Sequence, residues 1–237
     1  MDVSGVSFLQ KGTGKDLVFL HGYLSSKEAF AAQTAYFSRF YRVTAIDFLG
    51  QGKSPPLTEP YSVDDYAAWT EQVLSALNVE NPHVIAHSFG CRVLIKMAKR
   101  GRQVFDKLIL TGPAGVVFPR GLGYRYKVGA YRFVRKIAPR FAEKNFGSTE
   151  YRTLSPVMKE SYKKIVNEDL RATAACLSNA VLIIEGERDE VTPMKEAQAY
   201  CDVMKNARLE RIDGGHFAFA ENPVAFNILV EEFLQNA

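Results

Sequence analysis

Three cysteines in 237 residues, one tryptophan and a net charge of only +4 are the first constraints this sequence sets. Cys91, Cys176 and Cys201 are far apart, odd in number and in no C-x-x-C spacing. That excludes a disulfide scaffold and points to free thiols in a reducing compartment. Thirty Lys and Arg against 26 Asp and Glu is too even a balance to mark a nucleic-acid binder. The longest apolar runs are about five residues, where a bilayer span needs roughly 18, so no transmembrane segment is expected. Met1-Asp2-Val3-Ser4-Gly5 has no basic stretch ahead of an apolar run, so no signal peptide is expected and the default location is cytoplasmic. No group of His, Cys, Asp and Glu stands at metal-ligand spacing, and neither a metal nor another cofactor is expected.

What is present is ordinary globular composition, 47% apolar and 24% charged, in a chain long enough to build its core without metal or bridge. Apolar runs recur at Leu17–Leu20, Arg42–Ile46, Val84–Ala86, Lys107–Leu110, Val181–Ile184 and Leu209–Ile212. Continuous rather than alternating runs indicate strands buried on both faces, as in a parallel sheet. Amphipathic stretches lie between them at Val63–Leu77, Phe89–Lys99, Pro193–Lys205 and Pro223–Leu234. Ser62 ahead of Val63-Asp64-Asp65 reads as a helix start, with acids where the dipole favours them. Alternating strands and helices predict an α/β fold with an open, doubly wound sheet. Residues 113–180 break the rhythm with helical texture, no strand, and 13 Lys/Arg against 5 Asp/Glu, a local charge of +8. They are expected to form a helical cap, or lid, inserted into a core of residues 1–112 and 181–237. Ligands of open α/β sheets bind in the crevice at the strand carboxyl ends, which such a cap would cover.

The sharpest local signal is Ala86-His87-Ser88-Phe89-Gly90, between a strand and a helix. It fits a nucleophile elbow, G-x-S-x-G, with alanine at the first glycine position. The tight turn needs small residues two before and two after the serine, and it lifts the hydroxyl clear of the sheet. The alternative is a serine in an ordinary strand-to-helix turn. A serine nucleophile requires a base, itself oriented by an acid. Asp189 follows the strand Val181–Ile184 and His216 follows the strand Leu209–Ile212. The order Ser…Asp…His, each residue at a strand's carboxyl end, is the one this architecture calls for. Taken singly, Asp189 is a loop carboxylate beside Arg188 and His216 a turn residue.

With these motifs the sequence resembles the α/β-hydrolase family over essentially its whole length. His21-Gly22-Tyr23 is similar to that family's His-Gly-x oxyanion loop, and Asp47-Phe48-Leu49-Gly50-Gln51-Gly52-Lys53-Ser54 to its D-x-x-G-x-G-x-S turn. Gly186-Glu187-Arg188-Asp189 resembles the acid loop, and Gly214-Gly215-His216 the histidine loop. The resemblance implies Ser88 as nucleophile, His216 as general base and then acid, and Asp189 as its orienting carboxylate. It implies an oxyanion hole from the backbone N–H groups of Tyr23 and Phe89, each such donor worth about 3–4 kcal/mol. About a dozen residues precede Leu17, so roughly seven strands are expected in place of the family's eight. Serine at position 88 disfavours the branches that use an aspartate nucleophile.

Several features read as structural. Gly52-Lys53-Ser54 imitates the end of a phosphate loop whose first glycine is replaced by Asp47. His87 is read as packed and pointing away from the site, and Cys91 as a small buried filler. The basic residues Arg120, Arg125, Lys127, Arg132, Arg135, Lys136, Arg140 and Lys144 alternate with Tyr124, Tyr126, Tyr131, Phe133 and Phe141. This pattern fits an amphipathic stripe with a solvated charged face, or a surface that steers anionic substrates or rests on anionic lipid. The reading is a serine hydrolase acting on a small-molecule carboxylic ester, active as pH rises through about 6–7 where imidazole is neutral. Tyr23, Phe89 and Phe217 are expected to line its substrate pocket. Carbon–carbon, thioester or lactone cleavage on the same triad, and a ligand-binding or receptor module with little turnover, remain open. Oligomeric state is not legible.

Overall fold

The computed structural model describes residues 5–102, 104–119, 151 and 153–235. A seven-stranded sheet forms the centre: β1 (Phe8–Lys11), β2 (Asp16–Leu20), β3 (Arg42–Ile46), β4 (His83–His87), β5 (Leu108–Thr111), β6 (Val181–Gly186) and β7 (Ala207–Ile212). Their order across the sheet is β1-β3-β2-β4-β5-β6-β7. β1 pairs antiparallel with β3, and every other pair is parallel.

Alternation along each strand divides the core into two layers. Leu17, Phe19, Ile85, Ile109, Leu182 and Ile184 face one side, with Phe30, Phe37, Phe226 and Val230. Those partners come from a 3-10 turn at Lys27–Phe30, from α1 (Ala31–Phe37), and from the carboxyl-terminal helix introduced below. Val18, Leu20, Val84, Ala86, Leu110 and Ile183 face the other side. There they meet α2 (Val63–Ala76) and α3 (Phe89–Arg100). Ser62 starts α2 with a reciprocal capping box: its hydroxyl accepts from the Asp65 N–H, and the Asp65 carboxylate accepts from the Ser62 N–H. The chain continues through α4 (Pro156–Val166), α5 (Arg171–Ala174), α6 (Met194–Val203), α7 (Ala218–Glu221) and α8 (Pro223–Gln235).

The fold is the expected one, with three differences of detail. β1 was not among the sequence's strand runs because all four of its residues are exposed on an edge. β7 is an edge strand too, and Arg208 and Arg211 keep it partly exposed where a fully buried run was expected. α1 was also missed, its short AAQTAYF stretch showing little periodicity. Of residues 113–180, the described part contains α4 and α5 and no strand. The basic and aromatic residues from Arg120 to Lys144 lie outside the described residues.

The strand order reverses direction between β2 and β4. A crevice opens at the carboxyl ends of strands where this happens, and two of the motifs, Gly22-Tyr23 and Ser88, emerge there. α3 approaches β2 closely at Gly90: a Cβ on that residue would lie 2.3 Å from the Leu20 carbonyl oxygen. Backbone cannot yield as a flexible side chain does. Gly90→Ala is therefore expected to cost about 1–3 kcal/mol. At this chain length that is a fall of roughly 3–10 °C in melting temperature, and an unchanged melt would contradict the packing.

Candidate active site

Ser88 caps α3 with φ +49° and ψ −107°, a strained conformation for a residue with a Cβ. It is held by its own N–H donating to the Thr111 carbonyl of β5 (3.1 Å) and by its carbonyl accepting from the Cys91 N–H (3.1 Å). Ala86 is completely buried, so the extra methyl at the elbow's first position sits in the core.

Asp189 leaves β6 in a loop folded around its carboxylate. Oδ1 accepts from the N–H groups of Val191 (2.7 Å) and Thr192 (2.9 Å), a turn closed by the Asp side chain. Oδ2 accepts from the Thr192 hydroxyl (2.9 Å) and from Nδ1 of His216 (2.7 Å). Burial alone would raise the Asp189 pKa. The hydrogen bonds from His216 and Thr192 and the nearby imidazole charge outweigh it, so the group is held far below the usual carboxylate range. A carboxylate partner fixes the imidazole tautomer: Nδ1 carries the proton, and Nε2 is left with a lone pair able to accept one. Close approach of the two loops depends on Gly186, where a Cβ would lie 2.3 Å from the Gly215 carbonyl oxygen.

The structure brings Ser88 and His216 to one cavity of about 610 Å³ at the strand ends, with Asp189 directly behind the imidazole. Tyr23, Phe89 and Phe217 line the same cavity. Tyr23 packs edge-on against Phe89 (5.4 Å between centroids), and its hydroxyl donates to the Met158 carbonyl on α4 (3.3 Å). The N–H groups of Tyr23 and Phe89 have no acceptor among the described residues. His21 shapes their loop: its Nδ1 donates to the Gly22 carbonyl (2.7 Å), and Nε2 accepts from the Phe48 N–H (3.1 Å). Such an arrangement can activate a hydroxyl and hold an oxyanion. Among the described residues, no cluster of three or more His, Cys, Asp or Glu side chains could hold a metal, and no helix is long and apolar enough to cross a membrane.

Two neighbours modify the sequence reading. His87 does not point away from the site. It is buried against His216 (4.6 Å between ring centroids) and Phe217 (4.9 Å). Burial, then the adjacent His216, pushes its pKa down to about 3. Neutral His87 can donate from Nε2 to the His216 carbonyl (2.9 Å), tethering that loop. Thr192 was missed altogether, although an Asp followed three residues later by Thr is a recognisable side-chain turn. Its hydroxyl lies within reach of Asp189, His216 Nδ1 (3.1 Å) and the Gly112 carbonyl (3.1 Å). Cys91 is fully buried with its pKa raised by burial, which leaves an inert thiol. The Asp47 carboxylate accepts from the Lys27 and Lys53 N–H groups and the Lys27 ammonium, a turn-forming role.

Comparison with known proteins agrees with this architecture. An uncharacterized protein of Mycobacterium tuberculosis is 27% identical over 264 residues, covering 96% of this chain and 77% of its own. A 2-hydroxymuconate semialdehyde hydrolase from a Pseudomonas species is 28% identical over 251 residues, covering 95% and 89%. Among solved structures, an esterase from Exiguobacterium antarcticum superposes with a TM-score of 0.78 at 23% identity, covering 98% and 96%. The sequence model of the alpha/beta hydrolase fold matches residues 16–155, more than half of the chain. This protein belongs to the α/β-hydrolase family.

Proposed function

We propose that this protein is a serine hydrolase that cleaves carboxylic esters through an acyl-enzyme. The observation that carries the reading is the 2.7 Å bond from His216 Nδ1 to Asp189 Oδ2, with Ser88 and His216 on the wall of one cavity. Nε2 of His216 takes the Ser88 proton as Oγ attacks the carbonyl. The N–H groups of Tyr23 and Phe89 receive the oxyanion. The leaving alcohol departs with the proton from His216, and water, deprotonated by the same nitrogen, releases the acid. Residues 113–180 act as a cap on the core formed by 1–112 and 181–237. Support for this comes from α4, whose Leu154–Val166 neighbourhood supplies Tyr162 and Ile165 to the cavity wall. Three free thiols fit a cytoplasmic setting.

Hydrolysis of a carbon–carbon bond next to a ketone is the second reading, favoured by the relative named as a 2-hydroxymuconate semialdehyde hydrolase. The same nucleophile and oxyanion donors serve both reactions. A fluorophosphonate probe followed by peptide mass mapping tests the common step: label is expected on Ser88 and none on the Ser88→Ala protein. Wild-type protein that stays unlabelled would leave a binding module. Labelled protein that turns over vinylogous diketones and no aryl ester would select the second reading.

A further inference from the structure

Arg92 takes no part in the triad chemistry, yet it lines the same cavity. It stands four residues after Ser88 on α3, about 6 Å along the axis at the helical rise. The residue is 7% exposed. A guanidinium keeps its charge even where burial lowers its pKa, and a buried charge normally has a carboxylate partner. Here Nη1 donates to the Ile165 and Glu168 carbonyls, both at 2.9 Å, near the carboxyl end of α4. Nε and Nη2 have no acceptor among the described residues. Neither atom is among the sealed, unpartnered polar atoms of the described residues, and Arg92 lines the cavity.

Among the described residues, no carboxylate is hydrogen-bonded to the Arg92 guanidinium. The Glu168 carboxylate is paired with Lys96 at 2.5 Å. Glu196 lines the same cavity and acts on Arg92 through space, without a hydrogen bond to it among the described residues. Lys195, 4.9 Å over the Phe118 ring, adds a second positive charge to the cavity wall. We propose that Arg92 binds a carboxylate carried on the acyl chain of the substrate. This deepens the serine-hydrolase reading and rests on it for the reacting group. The acyl part stays bonded to Ser88 after the first step, and Ser88 and Arg92 share one helix. The helix therefore fixes the span between the scissile carbonyl and the anion, which suits a short dicarboxylic acyl group. The planar fork of the guanidinium matches a carboxylate, and two parallel N–H donors are free for it.

The test compares mono-4-nitrophenyl adipate with its neutral terminal amide, which differ in charge and little in shape. Wild-type kcat/KM is expected to favour the acid at least tenfold, and Arg92→Gln to reduce that ratio at least tenfold. A wild-type preference for the amide, or an unchanged ratio in Arg92→Gln, overturns the proposal. Arg92 also anchors α4, so a second measurement needs no variant. Adipate is expected to inhibit hydrolysis of 4-nitrophenyl butyrate by the wild type at least tenfold better than adipamide, and equal inhibition overturns the proposal. Failure of the fluorophosphonate to label Ser88 would sink the serine-hydrolase reading instead. Calorimetric binding of adipate in preference to adipamide would still decide the Arg92 site by itself.

Discussion

Replacing Ser88 by alanine is expected to lower kcat on an activated ester by about six orders of magnitude, the scale seen when a serine-triad nucleophile is removed. The size of the effect follows from the division of labour. In the proposed mechanism His216, oriented by Asp189, takes a proton from this one hydroxyl, and without it the imidazole has nothing to activate. Residual rate over water would come from the oxyanion donors and from binding alone. The variant keeps the Cβ and the positive φ already accommodated at this turn, so its melting temperature should stay close to the parent's. A measurement therefore pairs single-turnover kinetics with thermal melting. A variant that melts normally and retains a tenth of the parent's kcat would refute the acyl-enzyme mechanism.

The second large effect lies behind the site, at Glu185 near the end of β6. This side chain is fully buried beside the Asp189 carboxylate. Burial and the neighbouring Asp189 charge push its pKa up to about 9, so it holds a proton at neutral pH. Between pH about 4.5 and 9 the unfolded chain is ionised at this position and the native state is not, so stability falls as pH rises, by about 1.4 kcal/mol per unit. The buried histidines act in the opposite direction. His83, pushed down to about 4 by burial, and His87, at about 3, are neutral when folded. They withdraw stability as pH falls below about 6.5. Glu185→Gln makes the neutral form permanent without changing shape. The variant is expected to melt roughly 5–10 °C above the parent at pH 8, a few kcal/mol at this chain length. Its advantage should shrink towards zero near pH 4.5. A gap of constant size across that range, or a variant less stable at pH 8, would show that Glu185 is ionised in the native state.

Much of this could be read from the chain. Runs such as Val181–Ile184 betray strands covered on both faces, because the interior demands apolar residues at every position rather than every second one. The elbow at Ser88 and the loops after β6 and β7 are local: small residues, glycines and one candidate polar side chain apiece mark them where they stand. Thr192 shows where such reading stopped. Its hydroxyl matters through Asp189 and His216, and only folding brings it within 3.1 Å of the imidazole.

The sequence by itself determined the periodicity of the elements, their order, and which residues stand at strand ends, since each depends on neighbours a few positions apart. Tertiary structure alone decided that 88 and 216 share a cavity and that His87 tethers the histidine loop. It also decided that Glu185 is sealed in the core beside Asp189 and that, among the described residues, Nε and Nη2 of Arg92 have no acceptor. Those properties depend on which distant groups exclude water from a charge or a hydrogen bond, and the one-dimensional chain does not encode that distance.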